Sequence, residues 1–420
     1  MYRPYSTKVV AHTIKTYSDF TIPYPYPVAQ SVEASNGMEY PMICFNYGRT
    51  EKDGTYSEGI KNGMIGVVIH EVGHNFFPMI INSDERQWSW MDEGLNTFVE
   101  YLAEELWDNK FPSRRGPAAY ITDYMKLPKD QLEPIMTNSE SIYQFGNNAY
   151  GKPATALNIL RETVMGRELF DYAFKEYARR WAFKHPTPND LFRTMEDASA
   201  VDLDWFWRGW YFGTDPVDIA IDSVKWFRLD ANKNLASMKA PEFETISKVR
   251  NRDDKNLIYY TNTDTTLRDY YYYNRAADAK MFQDMAQQQL DAQKDNANYA
   301  AWEDKHFYEL QFSNKGGMVM PIIVEWTFTD GSKEVDRIPV GIWKLNEQKV
   351  TKLFAKNKEV VGIKLDPMRE TADINESNGM WPVREMPSRF QLFKGASTIS
   401  GLGAPRGGGP SINAMQKAKK

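Results

Sequence analysis

Two histidines flank a glutamate in His70-Glu71-Val72-Gly73-His74, the segment of this 420-residue sequence best equipped for chemistry. On a helix, positions i and i+4 share a face, so both imidazoles reach one ion while Glu71 stands beside it. The whole sequence holds five histidines, and two in one pentapeptide is a concentration that composition does not explain. The flanking Met64, Ile65, Val67, Val68 and Ile69 predict a buried helix, and Gly66 and Gly73 permit close packing. A catalytic zinc takes three protein ligands and keeps a fourth position open. With Cys44 the single cysteine, the third ligand is expected to be a downstream histidine or carboxylate. Histidine at position 80 would complete one known spacing, but Ile80 stands there. Glu93 follows His74 after 18 residues and has the longer reach; Asp92 is the competing candidate. Glu100 lies seven residues further on the same helix face. There it is placed to accept the second N–H of a zinc-bound imidazole, or it is an ordinary surface carboxylate.

The elements that must position these groups are legible from periodicity. A weak helical pattern covers 6–20, then prolines at alternate positions force Thr21–Pro27 into an extended segment. Residues 39–46 read as an edge strand, because Pro41 has no N–H for a ladder. Apolar i, i+3, i+4 spacing predicts helices at 60–77, 95–108, 117–125, 152–162, 167–183, 188–198 and 203–212. After Gly213-Thr214-Asp215-Pro216 the pattern becomes β-rich, with strands expected at 218–227, 257–263, 269–273, 318–328, 333–343, 350–355 and 359–365. Thr329–Ser332 reads as a hairpin turn, and the Gln- and Ala-rich 276–296 as an inserted helix. The expected class is α+β multidomain: a mainly helical domain at 1–215, a mainly β, sandwich-like domain at 216–394, and a disordered Gly/Pro/Lys tail at 395–420.

Composition narrows the partners. A net charge of -5 argues against nucleic acid as a main partner, which needs a basic face. No uncharged apolar run approaches the ~20 residues of a membrane span. The amino-terminal residues lack the apolar core of a signal peptide. An upstream leader would favour a periplasmic or secreted protein, and its absence a cytoplasmic one. Asp373-x-Asn375-x-Ser377 hints at a calcium loop, but Asn378 and Arg384 occupy positions that need Gly and Glu.

The pattern His70-Glu71-x-x-His74 with Glu93 after 18 residues resembles the zinc aminopeptidases of the aminopeptidase N type, within the gluzincins. Asn36-Gly37-Met38-Glu39-Tyr40 stands where that family has Gly-x-Met-Glu-Asn, and Tyr150-Gly151-Lys152-Pro153-Ala154 resembles its Tyr-x-Lys-Gly-Ala segment. Asn36, Tyr40 and Pro153 depart from those motifs. The resemblance covers roughly 5–230 and implies a thermolysin-like catalytic domain with one Zn2+. It makes Glu39 the holder of the substrate's free amino group, with Gly37 and Met38 lining the first pocket. It makes Tyr150 the phenol that stabilises the oxyanion, Tyr143 being the rival in the same stretch. It also implies that the family's N-terminal β-sheet domain is missing ahead of Glu39.

Together these residues predict a zinc aminopeptidase acting on peptides with a free amino terminus. Glu71 is expected to take a proton from the attacking water and deliver it to the leaving amine. Two other functions fit the same residues: a zinc hydrolase of a non-peptide substrate such as an epoxide or ester, and an inactive binding module that retains the peptidase fold.

Overall fold

The structure, a computed structural model, describes residues 2–35, 37–48, 50–228, 244–274, 280–281, 283–285, 287–288, 302 and 304–383. Up to Trp210 it is mainly helical, and from Ile219 onward it is rich in sheet.

Three helices hold the metal-motif segment. Helix α1 (Tyr2–Phe20) is longer than the weak 6–20 pattern suggested, and its Val9 and Tyr17 are fully buried. Ser57, in extended backbone, caps α2 (Glu58–Gly73) by accepting a hydrogen bond from the Ile60 N–H. Met64, Ile65, Val68, Ile69 and Val72 are buried, so α2 is a core helix packed between α1 and α3 (Leu95–Trp107). The packing needs Gly73: a Cβ there would lie 2.3 Å from both Asn96 Oδ1 and Tyr17 Oη. Helix α2 ends four residues before the expected 77. Phe77 precedes Pro78 and is pushed to extended backbone (φ -128°, ψ 111°), which no helix continues through.

The edge strand expected at 39–46 is a hairpin. Pro41 and Met42, the latter at φ 68°, turn the chain between β2 (Met38–Tyr40) and β3 (Ile43–Asn46). Strand β3 is the middle strand, parallel to β1 (Gln30–Glu33) and antiparallel to β2. The proline thus sits in the turn and leaves the ladder intact. The helix expected at 117–125 is two separate turns, Ala118–Tyr120 and Thr122–Met125. Helices at Lys152–Ile159, Arg167–Trp181, Pro188–Ser199 and Asp204–Trp210 match expectation.

The later region holds β4 (Ile219–Arg228), β5 (His306–Asn314), β6 (Ile322–Phe328), β7 (Lys333–Ile338), β8 (Lys349–Lys356), β9 (Val360–Leu365) and β10 (Met380–Trp381). They form two antiparallel sheets, ordered β4-β5-β8 and β10-β9-β6-β7. Trp326 joins the sheets, its ring 5.8 Å from Tyr308 of β5 and 4.9 Å from Phe354 of β8. Strand β5, the centre of its sheet, was not among the expected strands. Phe307, on the face opposite Tyr308, Leu310 and Phe312, is also buried and breaks the alternation at the start of the strand. The expected strands at 257–263 and 269–273 are instead helical turns, Tyr260–Thr263 and Tyr270–Tyr273, with exposed tyrosines. Tyrosine favours a strand where a pleated, half-buried surface receives it, whereas Tyr260 and Tyr270 are exposed. Pro339 ends β7, so Val340–Trp343 is a short helical turn and not strand. The Thr329–Ser332 turn joins β6 and β7 as expected. The 276–296 helix falls largely, and the 395–420 tail wholly, outside the described residues. Side chains tie the two regions together: Arg208 donates to Glu347 Oε1 at 2.7 Å, and Thr163 Oγ1 donates to the Glu370 carbonyl at 3.2 Å.

Candidate metal centre

Helix α2 delivers His70 and His74 to one side, and the chain that leads into α3 delivers Glu93. Trp90–Gly94 is a widened helical turn of the kind that often marks functional sites, and it carries Glu93 out of the register of α3. The donor atoms of His70, His74 and Glu93 lie within 4.8 Å of one another. The two imidazole Nε2 atoms are 3.0 Å apart, and Glu93 Oε2 is 3.1 Å from one and 3.3 Å from the other.

The far sides of the rings set the protons. His70 Nδ1 faces Glu100 Oε2 at 2.8 Å, and His74 Nδ1 faces the Phe77 carbonyl at 2.9 Å with Asp92 Oδ1 equally near. These partners are acceptors, so each Nδ1 carries the hydrogen and each Nε2 turns a lone pair inward. Two lone pairs and a carboxylate oxygen at about 3 Å repel one another unless a positive charge sits among them. The charges around the rings make the same demand. Burial opposes the charged form of His70, yet Glu100 and Glu93 outweigh it and push its pKa up to about 10. His74 is raised too, Asp92 and Glu93 overcoming its burial. Burial acts the other way on Glu93, but the nearness of both imidazoles holds it well below the usual carboxylate range. Two imidazoles and one carboxylate are a zinc-type donor set, and separations near 3 Å suit ligands about 2.0–2.2 Å from a shared ion.

Asp92, the competing third ligand, lies behind His74 and not in the donor cluster. Glu100 pairs with His70 and is no idle surface carboxylate. Glu71 is buried; burial pushes its carboxyl up to about 7 against the pull of both histidines, and its Oε2 has no hydrogen-bond partner. Gly37 packs onto it, since a Cβ there would stand 2.4 Å from Glu71 Oε1. Glu39 on β2 brings a carboxylate oxygen into the same cluster as Glu71 and His74, whereas Met38 is 40% exposed.

Tyr150 arrives on another widened turn, Gly146–Gly151, just ahead of the Lys152 helix. Its Oη donates to Glu93 Oε1 at 2.6 Å, while Tyr143 is 80% exposed. Burial, then the charge of Glu93, raises the Tyr150 pKa far above a free phenol's. Gly94 permits the close approach of this turn: a Cβ there would lie 2.6 Å from Pro153 Cγ. Pro153, a departure from the expected motif, thus packs into the space Gly94 leaves open.

Sequence reasoning missed Asn96 and Arg115. Asn96 Nδ2 donates to the His70 carbonyl at 2.9 Å and its Oδ1 accepts from Tyr17 Oη at 2.8 Å, which fixes α1, α2 and α3 together under the site. Its place one turn after Glu93 was the available signal. Arg115 stacks on Tyr150, its guanidinium carbon 4.4 Å from the ring centroid, and no spacing announces that contact.

The profile of the peptidase family M1 domain matches residues 5–210. These residues form a peptidase family M1 domain. The M1 match bears out the family that the motifs resemble, and with it a metallopeptidase domain. Similar proteins include "Probable aminopeptidase 1" of Sulfurisphaera tokodaii, 25% identical over 228 residues, which are 50% of this chain and 28% of that one. "Alanine/arginine aminopeptidase" of Saccharomyces cerevisiae is 24% identical over 275 residues, 60% of this chain and 30% of that one. Among solved structures, an M1 zinc metallopeptidase from Deinococcus radiodurans is 20% identical with a TM-score of 0.38, covering 49% of this chain and 44% of that one. The chain therefore spans less than a third of the length of each of these two aminopeptidases. Among the described residues, no helix of the M1 domain or beyond it is long and apolar enough to cross a membrane.

Proposed function

We propose that the protein is a zinc-dependent aminopeptidase, with residues 1–215 as its catalytic unit and 216–394 as a sheet-rich partner to it. The observation that carries this reading is the convergence of His70 Nε2, His74 Nε2 and Glu93 Oε2 beside a buried Glu71 with an unpartnered oxygen. His70, His74 and Glu93 would hold the ion. When bound, zinc supplies Lewis acidity, lowering the pKa of water towards ~7 and polarising a carbonyl.

The protein's own residues do the rest. Glu71, poised near neutrality, takes the proton of the attacking water and passes it to the leaving amine. Tyr150 stays protonated well above neutral pH and donates to the developing oxyanion, a contribution of about 3–4 kcal/mol for a preorganised donor. Glu39 offers a carboxylate to the substrate ammonium, which fixes the chain end and favours cleavage after the first residue. Glu100 and Asp92 keep both imidazoles in the tautomer that turns Nε2 inward.

The test is Glu71→Gln. The variant should bind zinc as tightly as the wild type and lose hydrolysis of aminoacyl anilides; turnover at the normal rate would refute the assignment. Acetylating the substrate amine should abolish hydrolysis by the wild type, and retained turnover would favour the non-peptide or ester hydrolase.

A further inference from the structure

His70, Glu71 and Tyr150 face a cavity of about 750 Å3 that continues between α2 and α3 to the segment ending at Arg115. Glu39 does not line it; its carboxylate clusters with Glu71 and His74 instead. With the substrate amine at Glu39, the fragment beyond the scissile bond enters this cavity.

Arg115 stands on its wall. The guanidinium lies over the Tyr150 ring, a contact that covers its face and leaves the N–H groups at its edge free to donate. No acidic side chain pairs with it among the described residues. Other arginines of the molecule are engaged: Arg161 grips Asp171 with two N–H groups, and Arg337 grips Glu370 in the same way. The carboxylates nearest the cavity do not fill the role. Glu100 is held by His70, and Glu104 is buried on α3 against Gly66. Arg114 lines the same cavity and adds positive charge.

Tyr150 Oη lies 2.6 Å from Glu93 and so marks the reacting carbonyl, and Arg115 sits on the same ring. Successive α-carbons are about 3.8 Å apart, so one or two residues carry a chain from that carbonyl to the guanidinium. We infer that Arg115 recognises a carboxylate one or two residues beyond the scissile bond, which makes the enzyme selective for dipeptides and tripeptides or for an acidic residue next to the cut. The inference rests on the aminopeptidase reading for the direction in which the substrate lies. A planar guanidinium suits this task because it binds a carboxylate through two parallel hydrogen bonds.

The test compares alanylglycine, its C-terminal amide, and alanylaspartate α-amide on the zinc-loaded full chain. Wild type should favour alanylglycine over its amide by about 10- to 100-fold in kcat/KM, the worth of a charged hydrogen bond. In Arg115→Gln that ratio should fall to near one, whatever the absolute rate, which also reflects the contact with Tyr150. Alanylaspartate α-amide matching alanylglycine supports recognition of a carboxylate from either source. Matching the alanylglycine amide supports recognition of the chain terminus alone. A wild-type ratio near one, or a ratio that survives in Arg115→Gln, overturns the inference. Calorimetry on the Glu71→Gln protein separates this from the aminopeptidase reading. There alanylglycine should bind 10- to 100-fold tighter than its amide even if no anilide is ever hydrolysed, and equal or absent binding overturns the inference.

Discussion

Lys356 in the sheet-rich region and His74 in the helical region are both buried, and they are treated in opposite ways. Lys356 is 4% exposed, and its ammonium meets Asp336 at 2.6 Å and Glu334 at 2.7 Å, with the Trp326 ring 4.7 Å away. Each charge there has its counter-charge, and both carboxylates keep access to water. Around His70 and His74 the balance is broken: Glu71, Asp92, Glu93 and Glu100 crowd two imidazoles whose inner nitrogens face one another. A buried charge with its partner in place stabilises a fold at best modestly. A buried cluster that lacks its counter-charge is a binding site for one. The contrast separates the structural part of this molecule from the part that does chemistry.

The comparison breaks first, and hardest, at the metal ligands. His74→Ala should abolish stoichiometric zinc in metal analysis and reduce anilide hydrolysis to background. Zinc at ~100 times its Kd should stabilise the wild type by about 2.7 kcal/mol and raise its Tm, with no rise for the variant. An equal rise in both proteins would mean that zinc binds elsewhere. Glu100→Gln tests the next layer. It keeps the shape but weakens the hold on the His70 proton, so zinc affinity should fall about 10- to 100-fold, read by competition with a chelator. Unchanged affinity would return Glu100 to the status of a surface carboxylate.

The same contrast explains what was legible in the sequence. His70 and His74 were readable because helical spacing alone puts them together, and Glu93 from its reach and its 18-residue gap after His74. Glu100 followed from the same periodicity. The hairpin at 38–46 was misread because Pro41 permits both an edge strand and a turn, and only the pairing of β3 with β1 decides between them. Strand β5 was missed although Tyr308, Leu310 and Phe312 alternate, because buried Phe307 on the other face interrupts the pattern at its start. Tyr260 and Tyr270 misled because local preference for strand needs a tertiary surface. The reach of Arg115 to Tyr150 joins residues from separate turns and has no local signature.

A subtler breach of charge balance lies at Glu104, 7% exposed on α3. Burial, then the charge of Glu100, pushes its pKa up to about 8. Its folded pKa is therefore above its unfolded value. Below ~4.5 both states are protonated and the residue costs nothing; as pH rises towards 8 only the unfolded chain releases the proton, and stability falls. Glu104→Gln should remove this slope, raising Tm at pH 8 and leaving it unchanged near pH 4.5. A Tm difference that is the same at both values would show that the gain comes from packing and not from the proton.

Lys356→Met should give the smallest effect and tests the other arm of the comparison. The methionine fills the stem's place against Trp326, while Glu334 and Asp336, 52% and 33% exposed at their side chains, regain water. Loss of the pair should therefore cost only about 1–2 kcal/mol, well short of the 3–5 kcal/mol expected when a fully buried partner is stranded. Zinc content and the kcat of anilide hydrolysis should match the wild type, because a paired charge in the sheets has no part in the chemistry of the helical region. Lost zinc or a lowered kcat in a variant that is still folded would make the sheet-rich region a participant in the site.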